Sequence, residues 1–215
     1  MTAMALTKNS YAYHSVRQRI LDGQLAPGSQ ISQPQLAGEL GISITPLREA
    51  MKQLDTEGLV RLDTFRTVVV APLDPQELQD LLSVRAALDP LAAELAAVQA
   101  DAREKAQLSD AAAQLSVPAA AGRFAARRNY FSLLYRISGN KLLVELLEPV
   151  WDKTYRYYQQ SLLASQLGAA ALEQADVLLE AATRAIDAAD AAAAQRAMTQ
   201  YIESCQEPWF HAVAR

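Results

Sequence analysis

The sequence predicts a mainly α protein, with three helices and a two-stranded β-ribbon first and an all-α bundle after them. Three observations support this fold class. Apolar residues recur at helical spacing over most of the 215 residues, β-branched residues cluster near residues 59–70, and Ala dominates the C-terminal half. Hydrophobic residues make up 51% of the chain and charged residues 20%, which suits closely packed helices.

Three short helices are predicted in the first third of the chain. The first spans about residues 11–22 and is followed by a glycine suited to a C-cap. The second lies between Ser32, a good N-cap, and Gly41. The third begins with Thr45 as N-cap and a proline at its first position, and ends near Gly58. The second and third helices, joined by a tight glycine turn, form a helix-turn-helix.

A two-stranded ribbon follows the third helix. Residues 59–62 and 67–70 are mostly β-branched or apolar, and the mainly polar residues 63–66 separate them as a turn. A helix-turn-helix followed by such a ribbon is a winged helix-turn-helix. Pro72 and Pro75 then interrupt the chain, and the pattern indicates no strand after them. We therefore place a domain boundary here.

The first predicted domain is residues 1–72, and the second, residues 73–215, is predicted to be helical throughout. Its six helices span about residues 75–100, 103–115, 118–137, 140–165, 169–188 and 190–213. The segment Ser138-Gly139-Asn140 is a strong break between the third and fourth of them. Six such helices indicate a bundle.

The candidate DNA contacts lie at the start of the third helix and on the wing. In a helix-turn-helix, the first turn of the second helix enters the major groove, where base edges are distinguishable. The candidates are Ser43, Ile44, Thr45, Arg48, Lys52 and Arg66, with Arg61 as a further cation. Arg48 is the main candidate for a guanine or phosphate contact. For any one cation, a solvated face or an ion pair with a neighbour such as Glu49 is the alternative.

Charge is distributed unevenly along the chain, whose net charge is −4. Residues 1–72 contain seven Lys or Arg and six Asp or Glu, whereas residues 73–215 contain thirteen and eighteen. The first domain has no broad basic face, so DNA binding must depend on a few well-placed cations and on duplication by dimerisation. We therefore expect a double-stranded DNA operator and a homodimer as partners.

The sequence carries no motif of an enzyme, such as a phosphate-binding loop, a zinc-protease helix or a nucleophile elbow. Cys205 is the single cysteine, which excludes an internal disulfide and fits a reducing compartment. No run of about 20 apolar residues spans a bilayer, and the region around Lys8 lacks the apolar core of a signal peptide. We expect a cytoplasmic, non-enzymatic protein with no cofactor and no membrane partner.

Three segments resemble a known family in residue identity and spacing. They are ILDGQLAPG at residues 20–28, QLAGELGISITPLREA at residues 35–50 and LDTEGLV at residues 54–60. The chain resembles the GntR superfamily of transcriptional regulators, in the FadR/VanR-like branch whose C-terminal domain is of the all-helical FCD type. The resemblance covers almost the whole chain. It implies a sequence-specific regulator, a repressor by expectation, whose second domain binds a small-molecule effector and pairs subunits.

Three departures from the family bear on DNA recognition. Ile44 stands where the family usually has Arg in its recognition motif, Pro34 replaces an Arg early in the second helix, and Thr67 replaces a wing Gly. We expect a changed operator or a weaker DNA affinity, with Ile44 packing on a thymine methyl group. The alternative is an interaction protein of the same fold that has lost specific DNA recognition or effector sensing.

The resemblance also implies a metal site that this sequence lacks. Many FCD domains hold a divalent metal with one Asp and three His, and the metal then binds an organic acid. The two histidines are His14 and His211, too few for that site. The family's ligand positions correspond to Arg127, Phe131, Leu179 and Tyr201. We therefore predict no metal and direct binding of a carboxylate or another anion.

Two arginines and four aromatic residues are the candidates for effector binding. They are Arg85, Arg127, Tyr130, Phe131, Tyr155 and Tyr201. Guanidinium groups bind carboxylates through paired hydrogen bonds, and aromatic rings would line the pocket. Alternatively, Arg85 pairs with Asp89 one helical turn on, the aromatic residues are core, and the pocket has closed. Trp151, Tyr155 and Tyr158 share one helix face, which is pocket wall or bundle core.

Overall fold

The chain folds into a small N-terminal unit and a larger helical unit. The computed structural model describes residues 7–62, 67–116, 120–164 and 167–213. The pattern of residue contacts divides the chain into two compact units, Met1–Leu73 and Asp74–Arg215. In the described residues, the first unit combines three helices with a small sheet, and the second contains helices.

The three helices of the first unit pack around a shared apolar core. They are α1 (Lys8–Leu21), α2 (Gln33–Leu40) and α3 (Ile44–Thr56). The first helix begins earlier than predicted because the side chain of Thr7 accepts a hydrogen bond from the Ser10 N–H and so caps it. The faces of α1 and α3 that meet are the predicted ones: Val16, Ile20, Leu21, Leu47, Ala50, Met51 and Leu54 are all buried.

The start of α3 differs from the prediction. Its N-cap is Ser43, so the assignment of Thr45 as N-cap is wrong. Thr45 and Pro46 lie inside the first turn, where a proline is tolerated because N–H groups there have no intrahelical acceptor. Ile44 consequently occupies the first helical position.

The sheet of the first unit has three antiparallel strands in the order β1-β3-β2. The strands are β1 (Gln30–Ile31), β2 (Val60–Leu62) and β3 (Val68–Val70). The predicted wing strands are present, but β1 was not predicted, because a two-residue strand is too short to show alternation. Hydrogen bonds from the Gly28 N–H to the Val70 carbonyl (3.0 Å) and from the Val70 N–H to the Ser29 carbonyl (2.9 Å) extend this pairing.

The second unit is a helical bundle, as the sequence predicts. Its helices are α4 (Pro75–Gln99), α5 (Ala102–Ala113), α6 (Ala120–Ile137), α7 (Lys141–Ala164), α8 (Leu167–Asp187) and α9 (Ala191–Val213). The last helix packs mainly against α4 and α8. Asp101 and Glu104 form a capping box at the start of α5, and Gly139, with φ +68°, ends the turn between α6 and α7.

We expect opposite effects from two glycine substitutions in the turn that positions α3. Gly41 caps α2 with φ +65°, so Gly41→Ala should destabilise the protein by about 1–2 kcal/mol. Gly38 lies inside α2, and Gly38→Ala should stabilise it by about 0.5–1 kcal/mol through helix propensity. A Cβ at either position meets no atom within 4 Å, so backbone conformation alone distinguishes the variants. Equal midpoints in urea unfolding, followed by circular dichroism, would contradict this reasoning.

Candidate functional site: an exposed helix and a buried arginine core

The start of α3 is exposed in the described structure. Ser43, Ile44, Thr45, Arg48 and Lys52 all face solvent, whereas the opposite side of the helix forms the core. Ile44 is 36% exposed although it is a large apolar side chain. The Ser43 side chain makes no capping hydrogen bond, so N–H groups of the first turn are not satisfied by it. The helix therefore presents apolar, polar and cationic groups together on one surface.

The two cations of α3 differ in their surroundings. The Lys52 Nζ lies 2.9 Å from the Glu49 Oε1, and both side chains are well exposed. Arg48 has no carboxylate within 4 Å among the residues that the structure describes. The Glu49 carboxylate thus partly neutralises Lys52 and leaves Arg48 available for a partner.

A shallow cleft of about 270 Å³ lies beside Arg48. It is lined by Gln30, Ile31, Ser32, Gln33, Pro34, Ile44, Arg48 and Thr67. The glutamines were not predicted as site residues, since their place beside α3 depends on the short strand β1. Arg61 is exposed on β2, and Arg66 lies outside the described residues.

Arg85 forms a closed ion pair inside the helical unit. Its Nε and Nη2 donate to the Asp89 Oδ2 at 2.9 and 2.7 Å, and the Tyr135 hydroxyl donates to the other carboxylate oxygen at 2.9 Å. The Arg85 and Asp89 side chains are 1% and 0% exposed. Burial lowers the pKa of Arg85, but the Asp89 carboxylate raises it, and the net pKa lies above its ordinary value. Arg85 therefore makes the i,i+4 pair that its spacing allows.

Arg127 forms a second pair, which joins two helices. Its Nη2 donates to the Asp176 Oδ1, so the contact connects α6 with α8. The Arg127 side chain is 4% exposed and that of Asp176 is 16% exposed. The Arg127 Nε is buried and has no hydrogen-bond partner among the described residues. One donor of this guanidinium is thus unsatisfied, although the charge is paired.

Aromatic rings lie between and around the two guanidinium groups. The Arg85 Cζ lies 4.9 Å from the ring centroid of Phe131 and 5.9 Å from that of Tyr201, and the Arg127 Cζ lies 5.2 Å from that of Tyr158. Phe131 and Tyr201 are themselves 5.5 Å apart. The structure therefore brings most of the predicted effector residues into one cluster.

Tyr155 and Tyr130 complete this cluster. Tyr155 stacks on Trp151 with ring centroids 5.1 Å apart, and Tyr130 contacts Phe131 edge-on at 5.4 Å. The Tyr130 hydroxyl is hydrogen-bonded to Thr183 at 3.0 Å, and complete burial raises the pKa of Tyr130 to about 12. The shared face of Trp151 and Tyr155 is buried.

The residues at the family's metal-ligand positions do not fit a metal. Arg127 offers a cation instead of a carboxylate, Phe131 has no donor atom, and the Leu179 side chain is a hydrocarbon. Among the described side chains, no group of three or more His, Cys, Asp or Glu is placed to hold an ion. The chemistry of this core is that of guanidinium groups with carboxylates.

Asp176 and Tyr135 are the residues of this core that the sequence analysis missed. Asp176 lies one turn before Leu179 and shares the buried stripe of α8 with Ala175 and Thr183. An acidic residue on an otherwise apolar stripe was the available signal. Tyr135 follows Phe131 by one turn of α6 in the same way.

The first unit is a winged helix-turn-helix, and the second is a helical bundle with a buried cationic core. Together they have the architecture of a two-domain regulator. The model of the bacterial regulatory protein gntR family matches residues 8–70, and that of the FCD domain matches residues 80–204. The chain belongs to the GntR family of regulators, in the group that carries an FCD domain. This confirms the resemblance and the fold class predicted from the sequence.

The similar proteins named here are regulators, a non-enzymatic class. An uncharacterized HTH-type regulator of Bacillus subtilis, YdhC, is 33% identical over 92 residues, which are 43% of this chain and 41% of that one. This chain therefore matches less than half the length of that relative. The solved structure of Escherichia coli McbR/YncC superposes with a TM-score of 0.80 at 19% identity, over 92% of this chain and 94% of that chain.

A GntR-type regulator from Rhodococcus sp. RHA1 superposes with a TM-score of 0.77 at 21% identity, over 94% of this chain and 97% of that chain. At such identities, the two structures show a common fold alone. In the described part of the chain, every helix is too short or too polar to cross a membrane.

The closed pair of Arg85 and Asp89 should be essential for stability. Asp89→Asn keeps the size of the side chain but leaves the Arg85 charge buried without its counterion, so we expect a loss of about 3–5 kcal/mol in unfolding free energy. Glu180→Gln is the control, because Glu180 and Arg184 form an exposed pair at 3.7 Å that should contribute less than about 1 kcal/mol. Urea unfolding measures both. Similar losses in the two variants would show that burial of the Arg85 pair does not determine its contribution to the unfolding free energy.

Proposed function

We propose that this chain is a sequence-specific DNA-binding repressor whose helical unit binds a carboxylate or another small anion and pairs two subunits. The observation that carries the proposal is the exposed start of α3, with Arg48 unpaired on it in the described structure. Membership of the GntR family supports it.

Arg48 and Ile44 supply the base contacts. The Arg48 guanidinium fits the two acceptors of a guanine in the major groove, and Ile44 fits a thymine methyl group. Ser43, Thr45 and the free N–H groups of the first turn bind a phosphate, and Lys52 and the wing residues Arg61 and Arg66 add phosphate contacts. Gln30 and Gln33 border the same cleft and are further candidates.

The buried arginine core forms the effector site. Arg127 is its anion-binding group, and Arg85 fixes the surrounding rings through its contacts with Phe131 and Tyr201. Tyr130 and Tyr155 pack against Phe131 and Trp151 and so support the rings around the site. A guanidinium in a nearly dry site binds a carboxylate more strongly than it would in water, because competing solvent is absent.

A conformational change at the effector site is transmitted along α7. Tyr155 and Tyr158 of α7 lie in the core. The neighbouring Tyr157 contacts the first residues of the helical unit. The Tyr157 hydroxyl donates to the Glu77 Oε2 at 2.5 Å and accepts from the Asp74 N–H at 3.1 Å. A movement of α7 therefore changes the position of the first residues of the helical unit, at Asp74 and Glu77.

The dimer forms through an apolar surface on α4 and α7. Large apolar residues are exposed here: Val84, Leu91, Val98, Leu142 and Leu146. The three on α4 are seven residues apart, so they form one stripe, and α7 packs beside α4. A second copy of the chain is the occupant, because one DNA-binding unit with few free cations gives little affinity and a palindromic operator requires two.

Replacing Arg48 should weaken operator binding selectively. Arg48→Ala should lose about 1–3 kcal/mol of binding free energy for a specific site and relax the preference at one base pair. Gel shifts with the gene's own upstream region at fixed salt measure this. Lys52→Ala is the control and should weaken all sequences alike. If the wild-type chain binds no duplex even at low salt, the alternative of an interaction protein is correct.

A charge on the α4 stripe should break the dimer. Val98→Asp places a carboxylate at a position that is 70% exposed in one chain, so the fold should persist while the subunits separate. Val177→Asp introduces the same charge at a 54% exposed position of α8 and should leave the dimer intact. Sedimentation velocity distinguishes the two. A monomeric wild-type chain, or dimers of both variants, would exclude this surface.

A further inference from the structure

The two buried ion pairs of the helical unit differ in how easily an external carboxylate could replace their aspartate. Arg85 and Asp89 lie on the same helix, both are essentially inaccessible, and Tyr135 holds the second carboxylate oxygen. Arg127 and Asp176 lie on different helices, and Asp176 retains 16% exposure. The second pair is therefore the one that solvent reaches, through the Asp176 side chain.

We propose that Asp176 is an internal ligand that occupies the anion subsite of Arg127 and that a carboxylate effector must displace. The inference rests on the proposed effector-sensing function and identifies the competitor for its ligand. In this state the Asp176 carboxylate accepts from Nη2, and Arg127 Nε is left without an acceptor in the described structure. The chain's own carboxylate thus pairs with the charge without satisfying the guanidinium.

An incoming carboxylate can satisfy Arg127 more completely. Nε and Nη2 of a guanidinium form a side-on fork that matches the two oxygens of one carboxylate. Such a ligand supplies the acceptor that Nε lacks and replaces the charge of Asp176. The Tyr158 ring, 5.2 Å from the Arg127 Cζ, and nearby Tyr201 provide an aromatic wall. The ligand class is consequently a small monocarboxylate with an apolar or aromatic body.

Displacement has a structural consequence because the Arg127 pair joins α6 to α8. When Asp176 is released, α8 loses its ionic contact with α6, whereas Tyr130 still bonds to Thr183 of α8. The effector therefore exchanges an interhelical contact for a contact to itself. Only a ligand with unequal affinity for the two arrangements can shift their equilibrium, and competition with Asp176 provides that inequality.

The test compares carboxylate binding by the full-length wild-type chain and two Asp176 variants. Benzoate and acetate are the probes, benzamide is the uncharged analogue of benzoate, and sodium chloride matches the ionic strength. If Arg127 is free in about a tenth of wild-type molecules, Asp176→Asn should bind benzoate about tenfold more tightly in calorimetry. Asp176→Ala should have a lower melting temperature without ligand, and benzoate or acetate should restore it saturably.

Matched variants separate competition from general loosening of the fold. Glu180→Gln removes an exposed carboxylate from the same helix and should leave benzoate affinity unchanged. Arg127→Met combined with Asp176→Ala should abolish the rescue. If Asp176→Ala does not fold in buffer, the recovery of folded protein after refolding with benzoate and with benzamide gives the same comparison.

Two results would overturn the inference. One is equal benzoate affinity of the wild-type chain and Asp176→Asn, including the absence of binding to both. The other is rescue by benzamide, or rescue that persists without Arg127. These outcomes are independent of the gel shift, so DNA binding without carboxylate rescue rejects this inference alone. Rescue without DNA binding rejects the repressor and keeps the site.

Discussion

The helical unit depends on one constraint, which is that two guanidinium charges inside a bundle must be paired. Arg85 and Arg127 are each at least 96% buried as side chains, and an unpaired charge at such a place would cost several kcal/mol. Asp89 and Asp176 supply the opposite charges, and Phe131 and Tyr201 present ring faces to Arg85. The Arg127–Asp176 pair joins α6 to α8, and the Tyr135 hydroxyl joins α6 to Asp89 of α4. The aromatic core fits around them.

This arrangement implies a different mode of ligand binding from that of the metal-dependent sensors that the domain resembles. A metal would supply open coordination positions, and a ligand would occupy them without displacing a protein group. Here the cation is part of the chain, and so is its counterion, because Arg127 is bound by Asp176. Charge neutrality is then complete before any effector arrives. In the proposed mechanism, binding is an exchange between two carboxylates, so the effector's affinity is set by the difference between two contacts and not by the strength of one.

The sequence predicts the fold better than it predicts the site, for physical reasons. The helices of the second unit are long and strongly periodic, so their bounds were predicted within a few residues, and the wing strands were recognised from their β-branched residues. The start of α3 was misplaced because Ser43 and Thr45 are both good N-caps, and propensity alone does not choose between them. Strand β1 depends on pairing with β3, and Asp176 acquires its role only across helices. Long-range contacts of this kind leave little local signal.

The few free cations of the first unit and the exposed apolar surface of the second are related, because weak DNA binding by one unit requires that two units be paired. Lys52 is partly neutralised by Glu49, which leaves Arg48 as the cation of α3 without an ion-pair partner in the described structure. One such unit would neutralise few phosphates, so we expect its affinity for DNA to be low at physiological salt. In the proposed dimer, two such units bind two half-sites, and the second contact benefits from a high effective concentration. In this proposal the helical unit contributes the pairing of two DNA-binding units, and the Tyr157 hydroxyl fixes the first residues of the helical unit by accepting from the Asp74 N–H. In the proposed mechanism, an effector need not touch the DNA-binding surface to release the operator, since the loss of one half-site contact leaves a single weak unit.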